Sequence, residues 1–334
     1  MVSVKPFGTV DLITITDGEI SAEFIPFGAA VRSILVPDKN GVLTDICLGY
    51  DSLEQYQELD ACFGGTIGRC ANRIGGASFE IDGKRYNVTA NEGANQLHGG
   101  IEGFHKKLWD YKIGENSVTF MLDSPDGDEG FPGNLHAEVT YTVKDSTLFI
   151  DYSAVSDKDT VVNLTNHAYF NLGGHHSGSI GNHRLTVRAE SYTPAGEGNV
   201  PTGEITAVEG TPLDLRNGAL IADRLGHPFL EGSRGFDHNF VLDKTESAAA
   251  ELFCPETGIG LEMFTDLEGM QLYSAGFLTE RIGKDGAVYN RDHAICLETQ
   301  HFPDAVNHPN FPSPIVRAGE KWQSRTSYRF FTVK

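Results

Sequence analysis

The chain reads as all-β: one large antiparallel β domain, a sandwich or barrel of many short strands with long loops and few short helices. Three observations predict this. Apolar residues recur with period two, not 3.6. Hairpin turn residues separate the runs. Strands do not alternate with helical patterns, which argues against a parallel doubly wound sheet. In order, alternation runs through Leu12–Thr16, Ser117–Leu122, Glu138–Val143, Leu185–Arg188 and Gly260–Thr265, all rich in β-branched and aromatic residues. Asp82-Gly83 joins Phe79–Ile81 to Lys84–Val88 in a two-residue turn, and Lys144-Asp145-Ser146 joins the runs on either side of it. Helical signals are confined to Asp51-Ser-Leu-Glu54, a capping-box pattern opening a short helix through Tyr56, and to a turn or two within 215–225, where Gly218 weakens it. Without repeats, low-complexity tracts or a linker, residues 1–334 read as a single domain.

Composition narrows the function. At 334 residues the chain can bury a large core without disulfide or metal staples. Its formal charge of −20 repels nucleic acid and anionic lipid, and no basic stripe offsets it, so neither is expected as a partner. Five cysteines, an odd number without C-x-x-C spacing, suggest reduced, mostly buried thiols and a reducing compartment. The start lacks a signal-peptide pattern, and no apolar run approaches the length of a membrane span. A cytoplasmic protein, monomer or homodimer, is expected.

Five clusters could carry chemistry. Gly68-Arg-Cys-Ala-Asn-Arg-Ile-Gly75 offers Asn72 and Arg73 as donors for an oxygen-rich neutral ligand, or else forms a turn whose arginines pair with acids. His98-Gly99-Gly100 sets a histidine beside open backbone that suits close approach of a ligand, or simply tethers its own turn. In Asn163–Leu172, Leu164, Ala168, Phe170 and Leu172 share one parity, and Asn163, Thr165, His167, Tyr169 and Asn171 the other. As a strand this has one wholly polar face, natural for a pocket. Asp237 stands between aromatics, as a turn cap or an acceptor for ligand hydroxyls. Glu298 ends an apolar run that reads as a buried strand, where a carboxylate is costly unless paired or used. Two long loops, Gly127–Gly133 and His301–Pro312, are mixed enough in character to be sites.

Other chemistries fit badly. His175-His176 and His183 show no zinc spacing and read as a flexible surface tract. There is no G-x-S-x-G elbow and no glycine-rich phosphate cradle. What remains is a metal-free, cofactor-free set of histidines, carboxylates, Asn and Arg, suited to proton transfer on a polyhydroxylated small molecule.

At this point the residues resemble a known family, the aldose 1-epimerases or galactose mutarotases. The match covers Gly68–Ile74, Leu97–Gly100 with Gly103-Phe104 and Trp109, Asn163–Leu172, Pro201–Ile205, Phe236–Phe240, Gln271–Tyr273, and Leu297–Gln300 with Phe302–Ala305. The resemblance implies a large antiparallel β-sandwich, the mutarotase-like supersandwich, and interconversion of the α and β anomers of free aldohexoses such as galactose and glucose. It implies Glu298 as general base, His167 as general acid and His98 as a second histidine at the reacting end. Asn72, Arg73, Asp237 and Gln271 match sugar-binding positions, and Tyr169 joins them from the polar face. Ala168 departs from the serine the family often has there, which touches only a local contact. The expected reaction is ring opening by proton transfer at the C1 hydroxyl and ring oxygen O5. With Glu298 near about 4.3 and His167 near about 6.5, nearby carboxylates favouring imidazolium, the acid limb of the pH profile would belong to Glu298 and the basic limb to His167. Alternatives are a glycoside hydrolase using Asp237 and Glu298, a non-catalytic sugar-binding or sensing protein, and a relative acting on hexose 6-phosphates.

Overall fold

A computed structural model describes residues 1–59, 61–245 and 247–334. All five alternating runs fold as strands, the fourth ending at Val187, one residue before Arg188. In Leu135–Lys144 the side chains of Leu135, Ala137, Val139, Tyr141 and Val143 are buried while His136 and Lys144 face water, the period-two pattern made physical. Burying each Val- or Leu-sized side chain contributes roughly 1.5–3 kcal/mol.

Three sheets carry the fold. The first is an N-terminal meander of Val2–Phe7, Val10–Asp17, Ile20–Ile25, Ala30–Pro37 and Leu43–Asp45. The second has nine strands, ordered Asp110–Ile113, Ser117–Ser124, Leu135–Lys144, Thr147–Ser156, Lys321–Thr332, Ile259–Thr265, Ala250–Phe253, Arg184–Val187, Ala219–Leu220. The third runs Thr206–Ala207, Ser191–Thr193, Asp237–Val241, Gly269–Tyr273, Cys296–Gln300. Pairing within them is antiparallel. Each sheet has open edges, so the architecture is a sandwich and not a closed barrel. One apolar core joins the sheets through Ile13 and Phe24, through Phe120, Val139 and Met263, and through Phe240, Leu272 and Leu297.

Local details refine the sequence reading. Asp82 and Gly83 take φ of 50° and 78° in the expected two-residue turn. The second hairpin also turns on two residues, not three: Lys144 pairs with Thr147, and Asp145 and Ser146 supply the positive φ angles. The helix spans Leu53–Glu58 with Ser52, not Asp51, as its N-cap and Gln55 closing the capping box. Asp51 is engaged elsewhere, accepting from Asp285 N–H at 2.8 Å and facing Arg32 at 3.4 Å. The second helix is one turn, Ala222–Leu225. Among the described residues no helix is long and apolar enough to cross a membrane.

The histidine tract is not a flexible surface. His175 and His183 are buried: the tyrosine hydroxyl of Tyr289 lies 2.9 Å from His175 Nδ1, and His183 Nε2 accepts from the Leu172 N–H at 3.0 Å. Burial pushes His183 down to about 4, so it remains a neutral acceptor. The two long loops are braces, not sites. The buried Arg69 guanidinium donates to the carbonyls of Ser124, Pro125, Pro132 and Gly133 and to Ser124 Oγ, so it buckles 124–133. In the other loop, Asp304 Oδ1 accepts from Gly75 N–H at 2.9 Å and Asp304 N–H donates to Arg73 O at 2.8 Å, while Phe302, Ala305 and Phe311 form a small core.

The Arg69 brace makes a prediction. Arg69→Lys keeps the charge but cannot span these acceptors. It should lower the unfolding free energy by about 2–4 kcal/mol, measured by urea denaturation; an unshifted midpoint would contradict the brace.

Candidate active site

The third sheet builds the floor of a cleft by register alone. Gln271 lies directly opposite both Glu298 and Asn239, and Tyr273 opposite Asp237. Because side chains alternate, Asp237, Gln271, Tyr273 and Glu298 share one face, while Phe240, Met270, Leu272 and Leu297 enter the main core on the other. Glu298 therefore sits mid-strand in Cys296–Gln300, not at its end as the sequence suggested. The strand is held beneath it by Tyr328, whose hydroxyl donates to Leu297 O at 2.8 Å.

A second wall comes from two crossing segments. Only Thr165–Asn166 is formal strand, paired with Thr66–Ile67, yet the parity read from 163–172 holds: Leu164, Ala168, Phe170 and Leu172 are core and the odd residues are polar. The odd residues divide by task. Asn163 and Asn171 stitch backbone, to Ala71 and His301 and to Gly178 and His293 respectively. His167 and Tyr169 enter the cleft. Their rings stack at 4.9 Å, and Tyr273 and His98 abut His167 edge-on.

Asn72 and His98 fix one another. Both take positive φ. His98 N–H donates to Asn72 O at 2.9 Å, and Asn72 N–H donates to His98 Nδ1 at 3.3 Å. A ring nitrogen that accepts carries no proton, so neutral His98 keeps its hydrogen on Nε2. Gly99 is there for packing: a Cβ at its φ of 82° would stand 1.9 Å from Gly68 O. The sequence reading of open backbone is thus replaced by loop-against-loop contact at Gly99, while Gly100 does line the cleft. The Asn72 Oδ1 is also spent locally, on the Arg73 N–H.

Residues Asn72, Arg73, His98, His167, Tyr169, Asp237, Gln271 and Glu298, all expected from sequence, line one cleft of about 290 Å³. That is the liquid volume of roughly ten waters, room for one sugar ring. Arg73 is clamped by Glu92, and Gln271 Nε2 donates to Asp237 Oδ1 at 2.7 Å. Glu92, His105 and Tyr273 also line it and were not singled out. Tyr273 lay inside a quoted motif; Glu92, in a polar turn, carried no sequence signal. Pro201–Ile205 lies outside the lining.

Electrostatics reverse the expected order of the acid–base pair. Glu298 is 2 % exposed and His167 5 %. Burial, with Asp237 adding to it and Arg73 opposing, pushes Glu298 well above the usual carboxylate range. Burial brings His167 down to about 3 and His98 well below its usual value. The imidazolium expected from nearby carboxylates is not favoured, because desolvation and the charge of His105 both oppose it. His167 Nε2 and Glu298 Oε2 stand 3.6 Å apart, and Glu298 Oε2 and Gln271 Oε1 are buried acceptors with no donor among the described residues.

His98, His167 and Glu298 present donor atoms within 4.8 Å of one another, the geometry of a possible metal triad. The surroundings fit a metal poorly. His98 Nδ1 already accepts, so its Nε2 is protonated and not a ligand atom. His167 Nδ1 has no acceptor to orient it, as ligating histidines do.

Comparisons with known proteins identify the family. A family model described as aldose 1-epimerase matches residues 11–329. The human galactose mutarotase is 40% identical over 97% of this chain and 94% of its own length. The aldose 1-epimerase of Escherichia coli is 37% identical over 91% and 90%. A solved GalM/aldose epimerase homologue from C. elegans superposes with a TM-score of 0.91 at 32% identity, covering 98% of this chain and 100% of that one. A galactose 1-epimerase structure from Lactobacillus acidophilus gives 0.88 at 25% identity, covering 100% and 99%.

The Asn72–His98 contact is directly checkable. Long-range ¹H–¹⁵N spectra near pH 6 should show His98 neutral with its proton on Nε2. A cationic His98, or the Nδ1–H tautomer, would contradict the hydrogen bond.

Proposed function

The chain belongs to the aldose 1-epimerase family, and from that premise we propose how its cleft interconverts the α and β anomers of a free aldohexose. Glu298 takes the proton of the C1 hydroxyl while His167 delivers one to O5. The C1–O5 bond breaks, the aldehyde turns about C1–C2, and the ring recloses with the roles reversed. His98, as a neutral Nε2–H donor, supports the oxygens at the reacting end. Arg73, Asn72, Asp237, Gln271 and Tyr169 bind the remaining hydroxyls and the apolar ring edge.

The observation that carries this reading is the buried, unpartnered Oε2 of Glu298 facing His167 at 3.6 Å. An unpaired buried acceptor is costly, and a sugar hydroxyl supplies the missing donor. The pair needs one proton in total. Ring forms react from ionised Glu298 beside cationic His167, and ring opening leaves protonated Glu298 beside neutral His167. Burial favours the second arrangement, so it stabilises the protonation state that accompanies the open-chain intermediate. The proton belongs to the pair, and the apparent pKa values are those of the pair.

The limbs of the pH profile follow with their signs. A second proton reaches the pair only through His167, whose value is brought down to about 3, so the acid limb belongs to His167. The last proton leaves through Glu298, whose value is raised, so the basic limb belongs to Glu298. This inverts the assignment drawn from unperturbed values. The same reading treats residues 1–334 as one domain, since the cleft draws on segments from Ala61 to Glu298. A cytoplasmic location is in keeping with five free thiols.

Polarimetry on freshly dissolved α-D-galactose and α-D-glucose tests the reading. Glu298→Gln and His167→Ala should each slow the drift in rotation by about 10²–10⁴, without new products in any case. In the wild type the acid limb of kcat/KM should lie near about 3, where His167 takes a second proton; an acid limb centred near glutamate's ordinary value of about 4.3 would sink the reversed order.

A further inference from the structure

Arg73 stands among three carboxylates yet pairs with one. Its Nε meets Glu92 Oε2 at 2.6 Å and its Nη2 meets Glu92 Oε1 at 2.7 Å, a two-pronged contact that fixes the plane of the guanidinium. Asp237 and Glu298 both feel its charge. Among the described residues, neither comes within 4.0 Å of it as an ion pair. A buried cation that loses its partner is left uncompensated and is drawn toward the anions that remain around it. Two anions flank Arg73: Asp237, which acts on it more strongly but whose Oδ1 already accepts from Gln271, and Glu298, whose Oε2 has no donor among the described residues and is the atom the proposed reaction needs free.

Glu92 is well placed to prevent this. Its N–H and C=O pair with Asn95 across a tight turn, and Asn91 locks that turn by accepting from Leu97 N–H at 2.7 Å and donating to the carbonyls of Leu97 and Gly100. The turn feeds Gln96–Leu97, which pairs antiparallel with Arg73–Ile74. Glu92 is thereby anchored to the strand that carries its partner, next to His98.

We propose that Glu92 is a positioning residue that holds Arg73 off the Glu298 carboxylate, so that Nη1 remains for sugar oxygens and Glu298 keeps an open oxygen for the C1 hydroxyl. The role at Glu298 rests on Glu298 being the base. The charged and titratable groups around Glu298 are Arg73, Asp237, His98 and His167, with Cys296, Tyr169, Tyr273 and Tyr328 kept uncharged by burial.

The test is Glu92→Gln, with polarimetric kcat and KM for galactose across pH. KM should rise about ten-fold or more as Arg73 loses its orientation. The basic limb of kcat/KM should move down by roughly one pH unit, because a closer guanidinium favours ionised Glu298. Glu92→Asp, which keeps the charge with a shorter reach, should fall between wild type and Gln and covers the case in which Gln does not fold. In an Arg73→Ala background the Glu92→Gln change should add almost nothing. Wild-type KM and limb in Glu92→Gln, or an undiminished cost in the Arg73→Ala background, overturns the proposal. Glu298→Gln assayed alongside keeps the readings apart: near-full turnover there removes Glu298 as base and leaves the KM result to judge Glu92.

Discussion

Desolvation of one carboxylate governs this molecule. Glu298 is placed mid-strand, 2 % exposed, with an oxygen that no described residue satisfies. Such a group is unfavourable in any purely structural account. The neighbouring fold responds to it. Arg73 supplies opposing charge without forming an ion pair with Glu298, Tyr328 holds the strand from below, and the imidazole across the cleft is itself kept neutral by burial. The floor is rigid because its other face is apolar core, so the geometry of the pair is set by sheet register and not by loop conformation.

Burial also explains how two groups of ordinary identity serve a reaction that passes a proton both ways. With unperturbed values, a carboxylate and an imidazole would rest firmly as an ion pair near neutral pH. Desolvation raises one and lowers the other, which tips the pair toward protonated Glu298 beside neutral His167, the arrangement that accompanies the open chain. No covalent intermediate is required of the side chains present, and binding is left to donors and acceptors matched to hydroxyls.

Around this centre, residues that looked functional turn out to divide between contact and support. Arg69 and Arg73 lie four positions apart in one glycine-rich motif. One is sunk among the carbonyls of 124–133 and the other faces the cleft. Asn163 and Asn171 share the parity of His167 but bind backbone. The loop that carries Asp304 ties down Arg73 from behind. Support of this kind is what keeps a proton-transfer pair within reach of its substrate.

The sequence by itself determined the all-β class, the places of the hairpins and the parity of 163–172, and its resemblance to a known family pointed to eight of the side chains that line the cleft. These follow from local periodicity, turn chemistry and motifs along the chain, which do not depend on what packs against them. Glu92 was invisible there, because a glutamate in a polar turn looks like any solvated acid until the strand it faces is known. The cap at Ser52 instead of Asp51, the buried histidines His175 and His183, and the structural use of Gly99 were decided by partners far away in sequence. So was the order of the two proton-transfer groups. A pKa reports the dielectric and charges around a group, and only the tertiary structure assembles those around Glu298 and His167.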